Sequence, residues 1–221
     1  MLEKSKYYIF SSMMIVLFTQ TGKILLNIMV DAETTGIYSA AATIANLANF
    51  VFLAIIDSFR PQIFEAYNQS HELFEKKMKT LYAIILYSSL AFCLAVTVMS
   101  PLLVNIIYGK TYYDSINLLR VIVWYNVFSF VGNSRNVWIL AEGKQKWLWV
   151  INLSGAVTNI GINILLIPYL GAMGACIASV IAQLVSNIIV SLIIPDIRPS
   201  IILLVNSLNL KNLLASKTKN T

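Results

Sequence analysis

Residues 80–107 read TLYAIILYSSLAFCLAVTVMSPLLVNII, with no charged side chain among them. A helix needs ~20 apolar residues to cross roughly 30 Å of hydrocarbon, so this stretch is long enough to span a bilayer. It is too long and too non-alternating for a barrel strand, and an open strand would leave backbone groups unpaired in lipid; it is therefore expected to be helical. Outward from it the pattern repeats. Apolar stretches at about 7–30, 36–57, 80–107, 117–141, 147–167 and 171–194 alternate with short polar gaps. The expected fold is all-α: a polytopic membrane protein of about six transmembrane helices forming one bundle over residues 1–195. Composition agrees, at 58% hydrophobic and 12% charged with a mean hydropathy of +0.74. A soluble domain of 221 residues has no core large enough to hide that much apolar surface.

The basic residues are sorted by gap. Lys4 and Lys6 precede the first stretch. Arg60, Lys76, Lys77 and Lys79 lie between the second and third, Lys144 and Lys146 between the fourth and fifth, and Arg198, Lys211, Lys217 and Lys219 after the sixth. The alternate gaps hold Lys110 alone, beside Asp31, Glu33 and Asp114, and then the uncharged Pro168-Tyr169-Leu170. The positive-inside rule places both termini in the cytoplasm, consistent with an even number of spans, and the expected location is the bacterial cytoplasmic (inner) membrane. The +6 net charge is thus a topology signal and a contact with anionic lipid, not a nucleic-acid footprint. The N-terminus has the charged start of a signal peptide, but no small-residue cleavage site comes after it and Gln20 and Lys23 continue the stretch. Cys93 and Cys176 fall mid-span and read as buried free thiols.

One gap is longer. Residues 62–79, QIFEAYNQSHELFEKKMK, interleave Ile63, Tyr67, Phe74 and Met78 with charges and suggest an amphipathic helix on the cytoplasmic interface. Residues 196–221 read as a cytoplasmic tail, amphipathic over Ile201–Leu214 and disordered over Ser216–Thr221. No catalytic constellation is visible: His71 is the single histidine and reads as a solvated loop residue, and HExxH, CxxC and P-loop patterns are missing. The reading is of a non-enzyme with no cofactor and no metal.

Polar residues inside the stretches form stripes at 100° per residue. The first collects Ser12, Thr19, Gln20, Lys23 and Asn27; the second aligns Ser39, Thr43, Asn46 and Asp57, with Asn49 at its edge. The fourth has Asn126, Ser129, Asn133 and Asn136 on one face with Arg120 and Arg135 roughly opposite; the fifth aligns Asn152, Gly155, Asn159 and Asn163. Such stripes are expensive against lipid and should face other helices or water. Interhelical hydrogen bonding is one reading and a polar cavity the other. Lys23, well inside its stretch, favours the cavity, so Lys23, Gln20, Asn27, Asn46, Asn159 and Asn163 are the candidate pathway residues. Asp57, Arg120 and Arg135 are candidate charge partners; pairing of Asp57 with Arg60, and snorkelling of the two arginines to an interface, stand beside that role. In the sixth stretch Gly174, Ala178, Ala182 and Ser186 recur every four residues as a helix-packing ridge.

Several pieces in order resemble a known family. They are Thr35-Gly36-Ile37-Tyr38-Ser39-Ala40-Ala41 with Ser58 and Pro61, then Tyr108-Gly109 with Tyr112, then Ile139-Leu140-Ala141 with Gly143-Lys144-Gln145-Lys146. The longest is Ser154-Gly155-Ala156 with Asn159, Asn163, Ile167-Pro168, Gly171, Gly174-Ala175 and Ala178-Ser179. Across about residues 8–195 the chain resembles the C-terminal half of the polysaccharide branch of the multidrug/oligosaccharidyl-lipid/polysaccharide (MOP) exporter superfamily, the O-antigen and repeat-unit flippases. Members often carry an Asp early in the corresponding first helix; Gly22 stands here before Lys23-Ile24-Leu25. The resemblance implies flipping of a polyprenyl-pyrophosphate-linked oligosaccharide by alternating access, without covalent chemistry, in concert with an N-terminal half-transporter. The expected partners are membrane lipid, that lipid-linked sugar and that half. A non-transporting remnant of a split flippase gene and an ion-coupled small-molecule exporter of the same superfamily are the alternatives. The cationic Lys23, Arg120 and Arg135 against a lone Asp57 favour an anionic cargo.

Overall fold

The computed structural model describes residues 20–208. They are largely helical, and no strand occurs among them. Helix α1 is described over residues 20–29. Asp31 then caps α2 (Ala32–Asn46), its carboxylate accepting from the Thr34 N–H at 2.6 Å. That bond holds the Asp31 carboxyl below the usual carboxylate range. Next along the chain come α3 (Asn49–Gln69), α4 (His71–Tyr108), α5 (Ser115–Ile122), α6 (Tyr125–Ala141), α7 (Leu148–Leu170), α8 (Ala172–Leu184), a π-helical turn at Val185–Ile189, α9 (Val190–Ile193) and α10 (Arg198–Ser207). Single 3₁₀ turns at Lys110–Tyr112 and Gln145–Trp147 join α4 to α5 and α6 to α7.

Five stretches are long and apolar enough to cross a membrane: Ala32–Gln69, His71–Tyr108, Ser115–Ala141, Gln145–Leu170 and Ala172–Ile193. They correspond to the second to sixth stretches of the sequence reading, and the protein is compatible with a membrane-embedded bundle. The expected first span, 7–30, is described only from residue 20, and Ser12 and Thr19 lie outside the described residues.

The 62–79 segment departs from expectation. It is not one surface helix. Ser70 is extended (φ −161°, ψ 148°) and divides it between the end of α3 and the start of α4, its hydroxyl accepting from the Leu73 N–H at 3.2 Å. Ile63, Ala66, Phe74 and Met78 are buried, and the Tyr67 and Phe74 rings meet edge to face at 5.1 Å. The apolar residues among the charges are therefore the seam of a helical hairpin. At ~1.5 Å per residue, the 38 residues of α4 run roughly 57 Å, far beyond the hydrocarbon thickness.

The tail also departs. Its first part, α10, joins the bundle: Ile197, Ile201, Leu203 and Leu204 enter a core with Phe52, Leu81, Tyr82, Ile85 and Phe130. Within that core Phe52 and Phe130 stack at 4.1 Å. Tyr87 donates to the Leu208 carbonyl at 3.2 Å. Residues 209–221, including the rest of the expected amphipathic and disordered segments, lie outside the described residues. A second core gathers Leu26, Ala41, Ile44, Leu119 and Cys176 from α1, α2, α5 and α8, with Val123 from the α5–α6 junction.

Pro101 sits inside α4 without breaking it. A proline lacks the N–H that would bond the carbonyl four residues back. Here that carbonyl, of Thr97, accepts instead from the Ser100 hydroxyl at 3.0 Å, and Arg120 Nε donates to the same hydroxyl oxygen at 3.0 Å. The α7–α8 hairpin turns at Gly171 (φ 53°), a left-handed conformation that suits glycine. Gly174, Ala178, Ala182 and Ser186 are all buried, and a Cβ on Gly174 would lie 2.7 Å from the Leu166 carbonyl. The small-residue ridge faces a neighbouring backbone.

Candidate functional site

Three helix discontinuities surround one cavity of about 350 Å³. The first separates α2 from α3 at Leu47–Ala48. Side-chain amides take up the carbonyls there. Asn46 Nδ2 donates to the Ala42 carbonyl at 2.8 Å, and Asn126 Nδ2, from α6, donates to the Ala45 carbonyl at 2.8 Å. Asn49 Nδ2 and the Tyr125 hydroxyl both donate to Asn46 Oδ1, the former at 2.8 Å. The second discontinuity parts α5 from α6 at Val123–Trp124, where the Cys93 thiol donates to the Val123 carbonyl at 3.2 Å. The third is the π-turn, where the Val190 N–H reaches back five residues to the Val185 carbonyl. Irregular backbone at membrane depth is tolerated where it borders a cavity or other protein.

The cavity lining is amide- and hydroxyl-rich. Asn46 and Asn49 come from the first discontinuity, Asn133 and Asn136 from α6, Asn152 from α7, and Gln183 and Asn187 from α8 and its π-turn. Tyr38, bonded to Ser179 at 3.4 Å, and Tyr125 add phenols. Among the described residues no Asp or Glu lines it, and two cations do: Lys23 and Arg135. Lys23 is half-buried, with no hydrogen-bond or ion-pair partner among the described residues.

Arg135 is 1% exposed. Its Nη1 donates to the Asn187 main-chain carbonyl at 2.7 Å and to Ser191 Oγ at 2.6 Å. Its Nη2 donates to Asn187 Oδ1 at 3.2 Å and Asn136 Oδ1 at 3.3 Å, and Nε has no partner. Every acceptor is neutral, and among the described residues Arg135 has no ion pair. A buried guanidinium without a counter-charge is expensive; four hydrogen bonds to neutral acceptors offset part of that cost. The Asn187 carboxamide is itself pinned, donating to Gln183 Oε1 at 2.5 Å. It lies so close to Gly132 that a Cβ there would be 2.0 Å from Asn187 Oδ1.

The remaining sequence candidates divide between the cavity and other surroundings. Gln20, Lys23 and Asn46 line the cavity; Asn27 is exposed and off it. Asn159 and Asn163 are buried within α7, Asn163 Nδ2 donating to the Asn159 carbonyl at 2.8 Å and its Oδ1 at 3.0 Å, and they lie off the cavity that Asn152 and Gly155 border. Asp57 pairs with Arg60 at 2.9 Å on an exposed face. Arg120 bonds Ser100 and Asn117 (3.3 Å) rather than the cavity. Arg135 does not snorkel. The sequence reading missed Gln183 and Asn187; the signal was present as two amides four residues apart in an otherwise apolar run. Among the described residues no group of three His, Cys, Asp or Glu side chains comes together to hold a metal.

Beyond the cavity, the turn after α9 is fastened to the α6–α7 connection. Trp147 Nε1 donates to Asp196 Oδ2 at 2.9 Å, and Lys146 Nζ lies 3.4 Å from the same oxygen. The indole bond first, then Lys146, hold the Asp196 carboxyl below its usual value. No protein-family model, curated protein or solved structure matches this chain.

Proposed function

We propose that this protein moves an anionic, sugar-bearing lipid across the bacterial cytoplasmic membrane, as the resemblance to the polysaccharide flippases implies. The observation that carries the reading is the cavity lining: many amides and hydroxyls, two cations, and no carboxylate among the described residues. Amide and hydroxyl groups present both donors and acceptors, which sugar hydroxyls require. Lys23, without a partner among the described residues, supplies an attractive charge for a pyrophosphate head in a low-dielectric setting. The acyl tail stays in hydrocarbon while the head occupies the cavity. A cationic drug would meet the wrong sign of field, which disfavours the multidrug reading.

In this proposal the chain forms six spans with both termini in the cytoplasm. Gln20, Thr43 and Asn46 border the cavity yet are exposed, so that side needs a second bundle to close it. Alternating access then arises as the two bundles rock around a central site. The test is reconstitution in liposomes with a fluorescent polyprenyl-pyrophosphate oligosaccharide, with a cationic dye in parallel and a complementary six-helix half supplied. Sugar-lipid transport that falls at least about tenfold in Lys23→Gln and is partly kept in Lys23→Arg is the expected result. Transport of the dye alone, or a fully active Lys23→Gln, overturns it.

A further inference from the structure

Arg135 is a strut as well as a charge. Four of its five N–H donors are engaged, three of them by the π-turn and the adjoining α9: the Asn187 carbonyl, Asn187 Oδ1 and Ser191 Oγ. A side chain inserted into the main-chain ladder is a known cause of helix distortion. Val185–Ile189 contains no Gly or Pro that would account for the wide turn. The guanidinium thus braces the π-turn from outside, through neutral acceptors, while it borders the cavity. Four residues past the turn, the short α9 ends, and Asp196 makes its fastening to Trp147 and Lys146.

We propose that Arg135 couples occupancy of the cavity to the conformation of the Val185–Ile189 turn, and through α9 to the Asp196–Trp147 fastening. This rests on the reading of the cavity as a site for a phosphoryl anion. An oxyanion adds an opposite charge and a bidentate fit that the neutral Asn187 and Ser191 acceptors lack, so it competes with them for the guanidinium. Once Arg135 leaves, the Asn187 carbonyl loses its outside donor, and the α-helical register becomes the way to satisfy it. Closing a π-turn to α rotates α9 and the turn beyond it by about 100° and moves them about 1.5 Å along the axis. Asp196 then leaves the indole. The turn is a two-state element, and a ligand that binds one state better shifts it.

The experiment uses the full chain in lipid nanodiscs. Binding of inorganic pyrophosphate, and separately of a short-chain polyprenyl pyrophosphate, is measured by calorimetry. Hydrogen exchange across residues 185–198 and the indole N–H resonance of Trp147 are monitored in the same samples. Binding together with at least about fivefold slower exchange at 187–193 and a shifted Trp147 resonance is the expected result. Response to the lipid-linked arm alone makes the effector a membrane lipid; response to both makes it the phosphoryl group itself. Arg135→Lys keeps the charge but not the fork, so it should bind while the exchange change is lost; Ser191→Ala removes one acceptor and should leave a weakened response. Binding without change at 187–193 overturns the coupling and spares the cavity reading. Absence of binding by either probe overturns both.

Discussion

Replacing Gly132 by alanine puts a methyl group where the Asn187 carboxamide already sits. The new Cβ would lie 2.0 Å from Oδ1, 2.4 Å from Cγ and 3.0 Å from Nδ2, so the side chain must move. A free asparagine would step aside at little cost, but this one bonds Arg135 at 3.2 Å and Gln183 at 2.5 Å. Giving up the charged bond costs about 1.5–3 kcal/mol, toward the lower end at that length, and the neutral one about 0.5–1.5. Against this, alanine in place of glycine in a helix gains roughly 1 kcal/mol. The net cost is about 2 kcal/mol, or roughly 4–8 °C in Tm. Thermal unfolding in detergent measures it for Gly132→Ala, Asn187→Ala and the double variant. In the Asn187→Ala background the clash is gone, so Gly132→Ala should become neutral or slightly stabilising. Equal destabilisation in both backgrounds, or none in either, refutes the packing of Asn187 against Gly132.

Ala178 is fully buried on the α8 ridge, and Ala178→Leu should lower stability by about 1–3 kcal/mol; an unchanged melting temperature would mean that the face looks at lipid. The Asp196 carboxyl is held below its usual value, so its fastening is complete above the ordinary carboxylate range and is lost as pH falls through the lower folded value. The Trp147 indole resonance should accordingly stay constant from pH 8 to 5 and shift only in stronger acid; a shift near pH 5 would contradict the bond. For topology, Lys144→Cys in a Cys-free background should be labelled only from the cytoplasmic side, and labelling from outside intact cells would break the six-span arrangement.

Long apolar stretches were legible in the sequence because bilayer thickness imposes a length, and 80–107 alone exceeds it. The stripe on α6 was legible in part: Ser129, Asn133 and Asn136 share a face and meet the cavity together, whereas Asn126, expected with them, bonds the Ala45 carbonyl off the cavity and Arg135, expected roughly opposite, lines it. The helix breaks were not legible. Pro61, Pro101 and Pro168 all lie within helices, whereas the breaks fall at Leu47–Ala48, Val123–Trp124 and Val185–Ile189. Local propensity misleads here, because side chains from other helices, such as Asn126 and Arg135, supply the donors that make a break tolerable. Arg135 shows the same limit. A helical wheel gives the direction of a Cβ, but a guanidinium reaches several ångströms further and finds acceptors on a neighbouring helix. Within 62–79, the alternation of apolar and charged residues does not distinguish a helix lying on a membrane from two helix ends packed on each other; the turn at Ser70 decides it.

Helix α10 has a consequence for how the chain is made. It supplies Ile201, Leu203 and Leu204 to a core whose other members, apart from Ile197, come from residues 48–151. A ribosome releases those contributions after all of residues 48–151. Until it does, the neighbouring surfaces of Tyr82 and Ile85 lack their cover, however well the earlier helices have inserted. Helix α10 therefore completes that core: a chain cut near residue 195 should keep every long apolar helix among the described residues and still lack part of the core, which is expected to expose it to proteolysis. Pulse-chase turnover of a chain truncated there, compared with the full chain, reads this directly, and equal lifetimes would show that α10 is dispensable to that core.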